Sequence, residues 1–170
     1  MQTNTYPREI WFDIETLVAV AQPKSIALLG DFPASFLDTY LEQQSLLNQQ
    51  SDVLKLKDES AHEFNQQMEM AIVAGIFDRA DKTASAKLIS QLRDVLCRQF
   101  CVALTMASQA DQGWTLNELL ALGLRRVNRY PVDGTEIALF KFNINEYKST
   151  PDWLNADNWA NPDMWGKYWW

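Results

Sequence analysis

The sequence predicts an α/β sandwich with a mainly parallel sheet and a C-terminal antiparallel hairpin. Three observations carry that expectation. Short continuous apolar runs at Ser25–Leu29, Met70–Gly75 and Phe100–Met106 suit strands covered on both faces of a sheet. Segments of helical period lie between them. The last two runs, Leu124–Tyr130 and Glu136–Asn143, are separated by Pro131-Val132-Asp133-Gly134-Thr135, a Gly-containing turn. Helix and strand in alternation build such a sheet through right-handed crossovers, with helices on both faces.

Taken in order, Ile10, Trp11, Ile14, Leu17, Val18 and Ala21 repeat with helical spacing after Pro7, and this helix ends before Pro23. The first strand follows and closes on Gly30. Pro33 opens a second helix whose apolar face is Phe36, Leu37, Tyr40 and Leu41, fading into Asn48-Gln49-Gln50-Ser51. Asp52–Lys57 alternates Val53, Leu54 and Leu56 with lysines, as an edge or half-buried strand would. Asp58–Glu69 is too poor in apolar residues for a core element and reads as a loop with a short helix. After the second buried strand, a long amphipathic helix places Leu88, Ile89, Leu92, Val95 and Leu96 on one face and Lys87, Arg93 and Asp94 outward. Thr115 and Glu118 form a capping-box pattern for a helix through Leu122, stopped by Gly123.

With 170 residues and 19.6 kDa the chain forms one domain of ordinary size. Fifteen Lys and Arg against twenty-two Asp and Glu give a net charge of −7, which disfavours nucleic acid and anionic membranes. The local cluster Arg125, Arg126 and Arg129 reads as a solvated face. Cys97 and Cys101 sit among apolar neighbours where a helix gives way to a strand, and read as buried small hydrophobes. With the single His62 they make no metal site, and they fit a reducing cytoplasm. Residues 1–10 lack a basic region followed by an apolar run, and no stretch is long enough to span a bilayer, so a soluble cytoplasmic protein is expected.

Ligands of open α/β sheets bind beyond the carboxyl ends of the strands. Gly30-Asp31-Phe32, Gly75-Ile76-Phe77-Asp78 and Thr105-Met106-Ala107-Ser108 should therefore converge. Ala71-Ile72-Val73-Ala74-Gly75-Ile76-Phe77-Asp78-Arg79-Ala80, Leu92-Arg93-Asp94-Val95-Leu96, Cys101-Val102-Ala103-Leu104 and Gly113-Trp114-Thr115 through Leu122-Gly123-Leu124 together resemble small class I S-adenosylmethionine-dependent methyltransferases. The resemblance covers roughly Ser25 to Phe142 and implies a reduced, three-layer Rossmann-like sandwich. It also implies adenosylmethionine as a cofactor, with Gly30, Asp31, Gly75 and Asp78 around it, and Asp58 as the acid that would hold the ribose.

The sequence departs from that family where the cofactor binds. The family's Gly-x-Gly-x-Gly loop lets backbone approach the ligand. Here it reads Gly30-Asp31-Phe32-Pro33-Ala34: one glycine, a large ring, a missing N–H donor and a negative charge. The family's Glu-His pair stands as Asp78-Arg79. Gly30, Asp31, Asp78 and Ser108 line a small-ligand pocket on one reading and are turn and cap residues of an inherited scaffold on the other, which a lone glycine favours. Asp31 and Asp78 as a carboxylate pair for acid–base work or a metal rank below both. The expected function is a binding or regulatory module without conventional cofactor binding; the alternative is a divergent methyltransferase.

Five of the seven tryptophans, Trp153, Trp159, Trp165, Trp169 and Trp170, lie in the last eighteen residues. Thr150-Pro151-Asp152 and Asn161-Pro162-Asp163 each read as the start of a short helical turn. Tyr147-Lys148-Ser149-Thr150-Pro151-Asp152-Trp153-Leu154-Asn155, then Trp159 to Lys167, resemble the C-terminus of a small bacterial family of unknown function with a reduced methyltransferase-like domain. Residues 1–146 are thus expected to form the domain and 147–170 a tail packed on it. So many exposed indoles would exceed the apolar patch of a soluble monomer. They either complete their own domain's core, dock a protein partner or a stacking ligand, or close the cofactor pocket.

Overall fold

The computed structural model describes residues 6–57, 61, 63–109 and 111–147. The elements are α1 (Arg8–Ala21), β1 (Ser25–Gly30), α2 (Asp38–Leu46), β2 (Asp52–Leu56), β3 (Met68–Ala74), the short α3 (Ile76–Arg79), α4 (Lys82–Gln91) with a π turn at Leu92–Leu96, β4 (Cys97–Thr105), α5 (Leu116–Ala121), β5 (Arg125–Val132), β6 (Thr135–Asn143) and α6 (Ile144–Tyr147). The strands form one six-stranded sheet in the order β2-β1-β3-β4-β6-β5. The first four are parallel, and β6 is antiparallel to both β4 and β5. This is the α/β architecture expected of a reduced methyltransferase-like domain.

Each face of the sheet carries its own core. Trp11, Ile14 and Val18 of α1 pack with Phe36, Leu37 and Tyr40 over Ile26, Leu28 and Ile72 on one side. Leu88 and Ile89 of α4, with Leu92 and Leu119, pack over Ala27, Val73 and Val102 on the other. The central strands are apolar without alternation because both faces are covered, and β1 shows four consecutive buried residues.

The sequence reading needs four corrections. The second helix starts at Asp38, not Pro33; Leu37 has φ 69°, and the turns Phe36 N–H to Pro33 C=O and Asp38 N–H to Ser35 C=O deliver both Phe36 and Leu37 into the core. Val95, expected on the apolar face, is 63% exposed because the π turn at Leu92–Leu96 widens the helix and shifts the residues that follow. Within Asp58–Glu69, Ala61 and Phe64 are buried core residues. The hairpin turn is two residues long, Asp133 and Gly134, both at positive φ, a type I′ geometry that leaves Pro131 and Val132 inside the edge strand β5.

Thr115 and Glu118 do form the capping box, and Gly123 at φ 87° follows the last helical turn. Cys97 and Cys101 are buried free thiols, the first opening β4. Arg125, Arg126 and Arg129 lie exposed along β5, with Arg129 facing Glu136 at 3.7 Å. No helix among the described residues is long and apolar enough to cross a membrane.

Candidate functional site

The strand order reverses between β1 and β3, so the crevice beyond their carboxyl ends is the switch point at which such sheets take ligands. Gly30 pairs with Ala74 there. A β-carbon on Gly30 would stand 2.0 Å from the Ala74 carbonyl oxygen, and φ is 113°. The space freed by the missing side chain is thus filled by β3 itself. The Asp31 N–H then donates to the same carbonyl at 3.3 Å.

Gly75, at φ 78°, turns the chain from β3 into α3. That helix carries two charged side chains to opposite tasks. Arg79 folds back so that its guanidinium lies 2.9 Å from Asp31 Oδ2 and 3.4 Å from where a Gly75 β-carbon would be. Asp78 turns toward β4, where Oδ1 accepts the Thr105 N–H at 2.7 Å and Oδ2 accepts the Tyr6 hydroxyl. The two carboxylates proposed as a pair are therefore held by different partners. Ser108 lies in the exposed bend beyond β4. Asp58 lies outside the described residues, as do Trp153, Trp159, Trp165, Trp169, Trp170 and His62.

Tyr6 is the residue that sequence reasoning missed. Its hydroxyl accepts the Gly75 N–H at 3.0 Å and lies 3.0 Å from the Ala103 carbonyl oxygen as well as against Asp78. A phenol has a single proton, so the Asp78 bond and the Ala103 contact compete for it. Burial, and then the negative charge of Asp78, push the Tyr6 phenol well above its ordinary range, with the Gly75 N–H acting weakly against them. Tyr6 is thus a neutral donor that ties the chain ahead of α1 to the ends of β3 and β4. A local signal existed: Tyr6 precedes the Pro7 N-cap and packs on Trp11, four residues into the helix, at 5.9 Å, the arrangement of a hydrophobic staple.

Phe32, which replaces a glycine of the resembled loop, stacks on Phe36 at 5.1 Å and packs against Trp11 at 5.7 Å. Its ring joins the aromatic group under α1. No group of three or more His, Cys, Asp and Glu side chains is placed to hold a metal ion among the described residues.

A family model of unknown function, DUF6231, matches residues 9–170. The chain belongs to that family. No curated protein matches it in sequence. Among solved structures, the small RNA methyltransferase HEN1 is similar over 82% of this chain and 26% of its own, with a TM-score of 0.52 and 11% identity. Magnesium protoporphyrin IX methyltransferase from Synechocystis PCC 6803, with bound SAH, is similar over 78% of this chain and 81% of its own, with a TM-score of 0.49 and 6% identity. At such identities the likeness is one of fold, and the DUF6231 chain has a class I methyltransferase-like fold.

Proposed function

We propose that this chain is a methyltransferase-like protein that does not bind adenosylmethionine in the conventional way and serves as a binding or regulatory module. The observation that supports this most is the Tyr6 contact. Beside the switch point, beyond the ends of β3 and β4, two groups that would meet a ligand, the Gly75 N–H and the Asp78 carboxylate, already satisfy the Tyr6 hydroxyl. Asp31 is engaged by Arg79, and the bare Cα of Gly30 is spent on the approach of Ala74. Adenosylmethionine would have to break these contacts and would find one glycine where its family supplies three. The fit is poor, and no methyl-transfer step is derived through it.

The second reading, a divergent methyltransferase, draws on Gly30 and Gly75 at the switch point of a methyltransferase-like sheet, with Asp78 beside them against the end of β4. Calorimetry and thermal shift with adenosylmethionine and adenosylhomocysteine separate the two. A ligand at a hundred times its dissociation constant stabilises by about 2.7 kcal/mol. We expect no shift at millimolar ligand. A shift in the parent chain would overturn the non-binding reading. Tyr6→Ala serves as a second arm: binding gained only in that variant would identify Tyr6 as the residue that blocks the site.

A further inference from the structure

The C-terminal tail leaves the domain at the end of the sheet opposite to the switch point. In β6, Ile137 pairs with Thr105 at the head of β4 and Asn143 with Gln99 near its foot. Six residue steps separate these levels, about 20 Å at about 3.4 Å each. The helix α6 follows, so residue 148 begins at the foot, while Asp78 is bonded to Thr105 at the head.

Two crevices open at that foot. One, of about 390 Å³, runs between Leu17, Val20 and Ala21 of α1 and the ends of β4 and β6. The other, of about 380 Å³, lies beside Val95 and Ile144. They share Glu69 and Arg98, so they form one continuous surface around the feet of β3 and β4. Asn145 and Glu146 line the first and Ile144 the second, which places the exit of the tail on the rim of both. Val20 is 81% exposed, Val95 63% and Ile144 51%. The first crevice sets Leu17, Val20 and Ala21 opposite Arg98, Lys141 and Glu146. Such a lining suits an indole, whose body packs on aliphatic carbon, whose face attracts a cation and whose single N–H can donate to a carboxylate.

We propose that residues 148–170 dock in cis on this foot surface, with Trp153 and Trp159 in the two crevices. The occupant is chosen on reach and on composition. Trp153 is six residues beyond Tyr147 and would need a fully extended chain, about 20–22 Å, to climb back to the level of Thr105. The foot is within a few residues. The tail also brings five indoles that require cover, to the place where aliphatic side chains stand uncovered. The proposal stands whether or not adenosylmethionine binds, and it makes the tryptophans part of the domain's own packing.

The test uses the full chain with Val20→Glu and Val95→Glu, separately and together, and Phe12→Glu as a control on the same helix outside the crevices. Phe12 is 69% exposed and lines a different hollow beside Asn128. Tryptic cleavage after Lys148 and acrylamide quenching of tryptophan fluorescence are read in each. We expect the parent and Phe12→Glu to be protected, and the foot variants to be cut about tenfold faster, with red-shifted, more quenchable emission. Foot variants that match the parent would overturn the proposal. So would a parent cut at Lys148 as fast as unfolded chain, or protection that vanishes on dilution with loss of a dimer, which would place the tail on a second copy.

Discussion

The carbonyl oxygen of Ala74 occupies the space that a Gly30 side chain would need, 2.0 Å from its β-carbon position. Two parallel strands approach there without a side chain between them, and φ of 113° adds a backbone conformation that L residues avoid. Gly30→Ala should therefore cost roughly 2–4 kcal/mol of folding stability. Urea denaturation measures it. A cost under about 0.5 kcal/mol, the scale of a neutral surface change, would show that β1 and β3 can part at this point, and that the glycine is free to face a ligand.

Tyr6→Phe keeps the ring against Trp11 and removes the hydroxyl that joins Gly75 and Asp78. Leaving those groups without their partner should cost about 1–3 kcal/mol. The pH dependence follows in sign. The folded pKa of Tyr6 is raised, so its contribution is complete below the unfolded value of about 10 and is lost as pH rises beyond it. Denaturation midpoints measured from about pH 9 to about pH 12, across the unfolded value, should fall more steeply in the parent than in Tyr6→Phe. Parallel curves would mean that the hydroxyl is not coupled to Asp78 in solution.

The central strands and their carboxyl ends were legible because a strand covered on both faces must be apolar throughout, and Ala27, Leu28, Leu29 and Ala71 to Ala74 leave few other readings. That Gly30 and Gly75 end neighbouring strands at one rim was legible for a related reason, since adjacent parallel strands finish on the same side of the sheet. What the side chains beside them do to one another was not. Arg79 reaches Asp31 across 48 residues and Tyr6 reaches Asp78 across 72, and no local pattern specifies such pairs. The start of α2 was misplaced because Phe36 and Leu37 fit a helical period and are buried by a left-handed turn instead. Val95 was misassigned because a π turn changes the period within a helix.

Cys97 and Cys101 should be inert in the folded protein. Burial pushes both thiols up to about 12, so almost no thiolate exists at neutral pH, and both are shielded from solvent. A chromogenic disulfide reagent at pH 8 should react with neither, at least about a hundredfold more slowly than after unfolding in guanidinium. Rapid reaction of one thiol in the native protein would reveal local opening of β4, which holds both residues and the hydrogen-bond partner of Asp78.

Glu118 is the most strongly depressed carboxylate among those described, and the cause is visible. Lys82 Nζ lies 2.7 Å from one oxygen, and the N–H and hydroxyl of Thr115 donate to the other at 3.0 and 2.9 Å. The Lys82 hydrogen bond comes first and the Thr115 N–H second in holding the carboxyl at about 2. Lys82 also reaches the Gly113 carbonyl and lies 5.2 Å from the Trp114 ring centre, so one contact set ties α4 to the start of α5. With a depressed folded pKa, the stabilisation is present above the unfolded value of about 4.3 and is lost as pH falls toward 2. Melting temperatures between pH 5 and pH 2 should drop for the parent, and Glu118→Gln should flatten part of that slope while lowering the melting temperature at pH 7. The cap's hydrogen bonds to Thr115 are retained in part by the amide, so the variant isolates the charge. An unchanged slope in Glu118→Gln would mean that other carboxylates govern the acid limb and that the Lys82 contact is screened by water.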